Sequence, residues 1–421
     1  MQGLAVVDHG RGRNHMRFPS GPFREYDRRV WILFIGRIVA VAGYSVVFPF
    51  LAIYLHDMRG VSMSVVGLIF LASSGMGSMG QIVGGEIADR IGRKSVMVLS
   101  VGPRAAIFIA ISIVIATGTD YLVIAALVIL SSFLGNMFEP ASNAMIADIV
   151  APGRRLEAYG LLRIGANVGF AIGPMIGGFL AAFSYSSLFL LTAFTSATVA
   201  IVIMLWVEES IRKAGSRAGF SLRDLARIRK NRQFILFCAV SFVLFLTVAQ
   251  MSTTFSVFST GVVGVSEIEI GYLFSINGIL VVLLQLPMAR YISHFRMSAV
   301  LAAGALMYAA GYFLVAFAQD FVFLAFCMFM ITMGENTTSP SSMNIVANMS
   351  PESERGRYMG VFGLSTAIGY SFAPLIGGVL LDTTVSSPVL LWGLIASFGV
   401  ASAVGYLLLG RKMPDKLDRV G

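Results

Sequence analysis

The chain has 421 residues and a formal net charge of +9; 57% of its residues are hydrophobic and 13% are charged. Soluble domains carry about 25% charged residues, so this composition excludes an ordinary soluble globular protein. The two cysteines, Cys238 and Cys327, lie inside apolar runs and have neither metal-ligand nor disulfide spacing. We therefore expect them to be packing residues, and we expect neither a metal site nor a cofactor.

The N-terminal segment 1–29 is basic and lacks the apolar core and small-residue cleavage site of a secretory signal. We expect it to be a tail rather than a cleavable signal peptide. Twelve apolar runs follow, each about 20 residues or longer, which is the length a helix needs to cross a hydrocarbon core of about 30 Å. They lie near 30–56, 63–88, 95–117, 121–149, 158–183, 187–207, 233–259, 267–292, 298–317, 322–348, 357–383 and 388–409.

The positions of the basic residues test this map of spans. If the N-terminal tail lies in the cytoplasm, all but four of the 31 Lys and Arg residues fall in inner loops or at inner ends of spans. The exceptions are Arg59, in an outer loop, and three arginines within spans. This asymmetry predicts cytoplasmic termini and a multi-pass protein of the inner membrane. It also accounts for the net charge without a nucleic-acid partner.

The chain divides into two related halves. The longest inner loop, 208–232, carries eight of the basic residues and joins a bundle at 30–207 to a bundle at 233–409, which precedes a tail at 410–421. The loop is either an orientation signal or a basic helix on anionic headgroups. At a shift of 200 residues, Pro140 matches Pro340 and Pro174 matches Pro374, with glycines matching around them. We predict an all-α membrane protein of twelve transmembrane helices in two pseudo-symmetric six-helix bundles.

The loop after the second span reads GEIADRIGRK at positions 85–94. An anion at this boundary can cap the N-terminus of a neighbouring helix. The segment resembles the cytoplasmic signature of the major facilitator superfamily; an ordinary positive-inside turn is the alternative. The resemblance implies a charge latch between the halves, with a partner at the end of the fourth span. The residues concerned are Gly85, Asp89, Gly92, Arg93 and the partner Asp148.

The fifth span carries glycine at every fourth position, so these glycines share one helix face and let another helix approach closely. A proline within the pattern removes one backbone donor and bends the helix. The pattern resembles the antiporter signature of the same superfamily, typical of drug:proton exporters; close helix packing alone is the competing interpretation. The residues are Gly165, Gly169, Gly173, Pro174, Gly177 and Gly178.

The charges within the first bundle depart from the family pattern. Superfamily exporters usually carry an arginine on the fourth helix, four residues before a glycine, but Ser131 stands four residues before Gly135. Four other charged residues lie about 8–14 Å deep at 1.5 Å per residue, where they are costly and usually functional. We expect one cluster in which Glu139 is paired and ionised, for structure or for coupling. Its members are Arg37, Arg104, Glu139 and Arg163. Arg37, Arg163 and the run Phe138-Glu139-Pro140 also resemble one bacterial multidrug-resistance branch.

The second bundle has one ionisable residue well inside a span, Glu335. Desolvation disfavours the charged form of an unpaired carboxylate, so Glu335 can carry a proton. The alternative is an ion pair across the halves with Arg37 or Arg104. In the first arrangement the protonation of Glu335, and in the second its ion pair, would change with the conformational state.

Few polar side chains are placed to line a central cavity among the many Met and Phe residues: Tyr44, Asn136, Gln250, Asn277 and Asn336. Flexible, apolar walls suit varied lipophilic ligands better than sugars. We predict a monomeric secondary transporter that exports lipophilic or cationic small molecules in exchange for protons. A proton-coupled uptake carrier for a metabolite or lipid-like substrate, and a non-transporting membrane sensor, are the rivals. The sequence has no phosphate-binding loop and no catalytic motif, so we expect a gradient as the energy source and no enzyme.

Overall fold

The computed structural model describes residues 26–210, 231–351, 354–414 and 417–419, and these residues form helices and turns without a strand. Twelve of the helices are long and apolar enough to cross a membrane, which confirms the predicted fold class. They are α1 (Arg28–Met58), α2 (Met63–Ile91), α3 (Arg93–Ala116), α4 (Tyr121–Ile149), α5 (Glu157–Phe183), α6 (Tyr185–Trp206), α7 (Arg232–Ser252), α8 (Glu267–Ile292), α9 (Met297–Val315), α10 (Phe321–Met349), α11 (Arg355–Thr384) and α12 (Pro388–Lys412). Most of the predicted tail 1–29, most of the linker 208–232 and parts of the tail 410–421 lie outside the described residues.

Several helix starts are fixed by short polar side chains in the turns before them. An oxygen of such a side chain accepts a hydrogen bond from a backbone N–H that has no partner within the helix. Ser266 begins α8 with a full capping box, in which Glu269 bonds back to the Ser266 backbone. The other residues that cap in this way are Asp27, Asp120, Asn231 and Asp320.

Within each of the two predicted halves, the helices pack against one another. In the first half α1 packs against α5 and α6, and α3 packs against α4 and α6. In the second half α9 packs against α10 and α12, and α7 packs against α11 and α12. The main contacts between the halves are α2 with α11 and α5 with α8, which we call the α2–α11 seam and the α5–α8 seam.

The internal repeat is visible in the two seams. A Cβ added to Gly178 of α5 would lie 2.5 Å from the carbonyl oxygen of Glu267, the first residue of α8. A Cβ added to Gly378 of α11 would lie 2.6 Å from the carbonyl carbon of Met63, the first residue of α2. Two glycines that are 200 positions apart therefore allow the same close approach, each to the start of a helix in the other half.

The seams also define the conformation. On α2, hydrogen bonds to α11 extend from Met63 to Ser74. On α5, contacts with α8 extend from Gly178 to Ala171. Both stretches lie at the helix ends that the distribution of basic residues assigns to the outer face. In the described part of the chain the two halves therefore meet at these ends, which, with the orientation predicted from the basic residues, is the arrangement of an inward-open carrier.

Candidate transport pathway and its charged residues

Glu335 lies in the middle of α10 and is held by a neutral partner. Its Oε2 accepts a hydrogen bond of 3.0 Å from Nδ2 of Asn277 on α8, and the same Nδ2 donates to Thr332 Oγ1 at 3.0 Å. No Lys or Arg in the described parts of the chain pairs with this carboxylate. The ion pair with Arg37 or Arg104 that we considered across the halves is therefore absent from this conformation.

The four charged residues of the first bundle do not form the single cluster that we expected. Arg37 pairs with Glu139 at 3.3 Å, and 46% of the Glu139 side chain is exposed. Arg104 instead stacks over Tyr44 at 5.4 Å, and Arg163 is exposed. The reason is geometric: Tyr44 lies seven residues beyond Arg37 on α1, which is about 10 Å along the helix. The cluster separates into an ion pair, a lone cation and a surface arginine.

Among the polar residues predicted to line the pathway, two are exposed, Tyr44 and Asn136, and three are buried, Asn277, Asn336 and Gln250. Tyr44 is 41% exposed, Asn136 is exposed and bonds to Ser132, and Asn277 holds Glu335. Asn336 is buried, and its Nδ2 lies 3.4 Å from the Leu280 carbonyl oxygen.

Gln250 was wrongly assigned to the pathway. It is fully buried, its Nε2 donates to the carbonyl oxygens of Leu246 and Ala373, and its Oε1 accepts from Thr254. All its polar atoms are satisfied where α7 meets α11. The residue joins these helices: both its N–H groups are committed, and its burial keeps it out of reach of a substrate.

The signature at 85–94 forms a compact network at the inner end of the first half. Nη1 of Arg93 lies 2.5 Å from Asp89 without the alignment of a hydrogen bond, and its Nε donates to Asp148 at 3.3 Å. Glu209, after α6, accepts from the backbone N–H groups of Arg93 and Lys94 at 2.8 and 3.1 Å.

Two consequences follow for the predicted latch. The capping role that we expected for Asp89 belongs, at the start of α3, to Glu209. Gly92 adopts φ 106°, and a side chain there would strike the Glu209 carboxylate, so the turn requires glycine. Gly85 faces Pro140 of its own half. A latch between the halves stays a prediction for the conformation that is closed on the inner side.

Replacing Asp89 by asparagine should disfavour the outward-open form, because the predicted latch would lose the charge that interacts there with a helix N-terminus, an interaction of about 0.3–1 kcal/mol. We expect a two- to fivefold rise in labelling of a single cysteine at the cytoplasmic side. Glu86→Gln is the control, since Glu86 pairs with Arg90 on the exposed face of the same helix. Unchanged labelling on both sides in Asp89→Asn would remove the latch assignment.

Asp382 closes the α2–α11 seam and was not predicted. Its Oδ1 accepts from the backbone N–H of Met63 at 2.9 Å, and its Oδ2 accepts from the N–H of Ser64 at 2.7 Å. Ser62, the residue before α2, makes no capping hydrogen bond. A carboxylate of one half therefore satisfies the helix start of the other half and interacts favourably with its dipole.

Asp382→Ala should loosen the outer closure. Loss of a helix cap costs about 0.5–2 kcal/mol, which is a two- to thirtyfold shift in a conformational equilibrium. Labelling of Ser74→Cys from the outside, in a background without Cys238 and Cys327, should rise accordingly. Asp320→Ala is the matched control, because Asp320 also caps a helix, α10, but does so within one half. If both variants label alike, Asp382 does not close the outer face.

Comparison with known proteins agrees with this architecture. The family model for the Major Facilitator Superfamily matches residues 33–263 and 240–420. An uncharacterised MFS-type transporter, YttB of Bacillus subtilis, is 28% identical over 363 residues, covering 84% of this chain and 89% of YttB. The multidrug resistance protein MdtH of Yersinia enterocolitica is 27% identical over 387 residues, covering 89% and 92%.

The fold also matches solved structures of low sequence similarity. The crystal structure of the peptide transporter POT in complex with sulfate superimposes with a TM-score of 0.75 at 14% identity, covering 94% of this chain and 97% of that one. The described residues contain twelve helices long enough to cross a membrane, and their two repeated halves meet at two seams. The family match extends along nearly the whole described chain. The chain belongs to the Major Facilitator Superfamily and is a multi-pass secondary transporter.

Proposed function

We propose that this transporter exports lipophilic small molecules in exchange for protons. The observation that carries the proposal is Glu335, a carboxylate in the middle of α10 that Asn277 holds and that has no cationic partner in the described residues. A partly buried carboxylate of this kind, inside a membrane span, gains or loses a proton as water reaches it or leaves it. It can therefore couple a proton gradient to the exchange between inward-open and outward-open forms.

The proton would enter from the outside and leave on the inner side. In the inward-open form, from which the proton would be released, the Asn277 amide holds the Glu335 carboxylate in place. Substrate binding and closure of the inner end would follow, and reprotonation from the outside would reset the carrier. The relative MdtH, named a multidrug resistance protein, supports export of varied lipophilic compounds.

The pathway near Tyr44 supports a lipophilic substrate. The ring centroid of Phe48 lies 5.5 Å from that of Tyr44, and the ring centroid of Phe70 lies 6.3 Å from that of Phe48. Aromatic walls with few polar groups bind apolar bodies without fixed hydrogen bonds. A sugar or nucleoside would need more donors and acceptors than the described side chains offer here.

We also propose that both termini lie in the cytoplasm, that the protein is a monomer of the inner membrane, and that 30–207 and 233–409 move as the two rocking bundles. The excess of basic residues at the inner ends supports the orientation. Labelling of single cysteines placed in the loops from each side of intact cells tests it. Labelling of the 208–232 loop only from the outside would reverse the orientation.

A proton-flux assay in proteoliposomes tests the function. The purified protein, with a pH-sensitive dye inside the vesicles, is exposed to lipophilic anions, cations and neutral compounds and to hydrophilic metabolites. Proton movement on addition of lipophilic compounds supports export. Movement only with a hydrophilic metabolite would establish an uptake carrier instead. No movement with any compound, in either gradient direction, would establish the sensor.

A further inference from the structure

We propose that the pocket beside Arg104 in the first half binds the anionic group of a lipophilic substrate, such as an aryl carboxylate. The inference rests on the export function above and names the substrate class for it. It also reverses one expectation from the sequence, because a pocket with a built-in cation disfavours cationic compounds.

The pocket is a partly open cavity of about 50 Å³ lined by residues of α1, α2, α3, α4 and α6. Its wall is aromatic and aliphatic apart from Tyr44 and three serines, Ser73, Ser131 and Ser132. The volume accommodates the head of a ligand rather than a whole drug-sized molecule. Since Tyr44 is 41% exposed, the body of such a ligand can extend from the pocket towards the space between the halves.

One hydrogen-bond donor in the cavity wall and one behind its aromatic lining have no partner. Ser73 is only 8% exposed, it lines the cavity, and its Oγ makes no hydrogen bond. Nε of Arg104 is likewise buried without a partner. Buried polar groups in proteins are nearly always satisfied, so these two groups favour a ligand that brings a hydrogen-bond acceptor. A carboxylate supplies acceptors and no donor, which is the complement of this pair.

Arg104 is held in place by rings instead of by a counter-charge. Its guanidinium lies 5.4 Å from the Tyr44 ring centroid and 5.0 Å from that of Phe108, and both rings line the cavity. Among the described residues, the nearby carboxylate Glu139 is committed to Arg37. Cation–π contacts orient a guanidinium without neutralising it. The cation thus remains available for an anionic ligand, with which arginine forms its strongest hydrogen bonds.

A glycine on α4 leaves space for the Arg104 guanidinium. A Cβ at Gly135 would lie 2.6 Å from Cζ of Arg104, so the glycine provides the room for the guanidinium. Ser131, one turn earlier on α4, lines the cavity with an uncharged side chain. The positive charge on this face of α4 therefore comes from α3.

A matched set of three ligands tests the charge preference. The probes are 4-phenylbutyrate, 4-phenylbutyramide and 4-phenylbutylamine, which share one apolar body and differ in the head group. Binding to the purified full-length protein is measured by equilibrium dialysis without a proton gradient. We expect the carboxylate to bind at least tenfold more tightly than the amide, and the amine to bind most weakly. Equal affinity for carboxylate and amide would overturn the proposal.

Two variants assign any preference to the pocket. Arg104→Gln should bring the carboxylate-to-amide ratio close to one, whereas Arg163→Gln, at an exposed site on α5, should leave it unchanged. Ser131→Asp keeps Arg104 and introduces a competing carboxylate one turn from Gly135, so it should also abolish the preference. A preference that survives in both Arg104→Gln and Ser131→Asp would overturn the assignment. A preference in the wild type without proton flux in vesicles would refute the export function and leave the binding pocket standing.

Discussion

Glu335→Gln should reduce proton-driven transport by about 100-fold or more while substrate exchange without a gradient continues. Glutamine has nearly the same shape, can still accept from Asn277, and corresponds to a permanently protonated carboxyl. Binding and rocking of the halves need no proton release, so labelled substrate inside vesicles should still exchange with unlabelled substrate outside. Uphill transport needs release at every cycle and should stop, as expected when one intramembrane carboxylate carries the coupling ion.

Glu139→Gln provides the comparison for this experiment. Glu139 pairs with Arg37 and is nearly half exposed, so its loss should cost far less than the loss of a fully buried partner. We expect the protein to fold and the ratio of uphill transport to exchange to stay as in the wild type. The ratio at matched protein levels is the decisive quantity. Full uphill transport by Glu335→Gln, with loss of uphill transport alone in Glu139→Gln, would transfer the coupling role to Glu139.

Gly173→Leu should abolish transport while insertion into the membrane is retained. The glycine face of α5 packs on α1 in its own half, where a Cβ at Gly173 would clash with Ser45 and lie 2.6 Å from the Ala42 carbonyl oxygen. Four added carbon atoms must force the two helices apart. Overpacking of this kind costs about 1–3 kcal/mol even where neighbours can adjust, and backbone atoms cannot adjust by rotating a side chain.

Gly160→Leu is the matched control for this substitution. Gly160 lies on the same helix, and nothing lies within 4 Å of a Cβ added there. The control should insert, bind and transport as the wild type does, which separates loss of packing from loss of helix flexibility. Normal transport by Gly173→Leu would show that the α1–α5 contact is not needed in the transport cycle, and the antiporter interpretation of the glycines would lose its main support.

The spans and their repeat were predictable from the sequence because both depend on properties that act along the chain. Length and apolar composition determine which segments can cross a bilayer, and the 200-residue match between Pro174 and Pro374 needs no knowledge of packing. The prediction that the glycine face of α5 allows close helix approach rests on the recurrence of glycine at every fourth position. The partner helix, α1, could not be inferred, because glycine spacing identifies a face and not what lies against it.

The pairing of polar side chains was not predictable, because it depends on how each helix is rotated about its axis. We placed Arg104 and Glu139 in one cluster because they lie at similar depths in the membrane, but the Arg104 guanidinium lies over the Tyr44 ring. Gln250 was assigned to the pathway because it is polar, yet it faces α11. Glu209 and Asp382 bond to residues more than one hundred positions away in sequence. Their only signal is an acidic residue at the end of a span.

The two seams of the outer closure are alike in their glycines and unlike in how their helix starts are satisfied. At the start of α8 the cap is in cis: Ser266 Oγ accepts from the Glu269 N–H, Glu269 Oε2 accepts from the Ser266 N–H, and both bonds persist wherever the halves move. The first N–H groups of α2 are capped in trans, by Asp382, and lose both bonds as soon as the halves part. Each opening of the outer face must therefore hydrate two backbone donors on one side of the pseudo-twofold axis only. A fold that is symmetric in architecture thus divides the cost of its own opening unequally between its two halves.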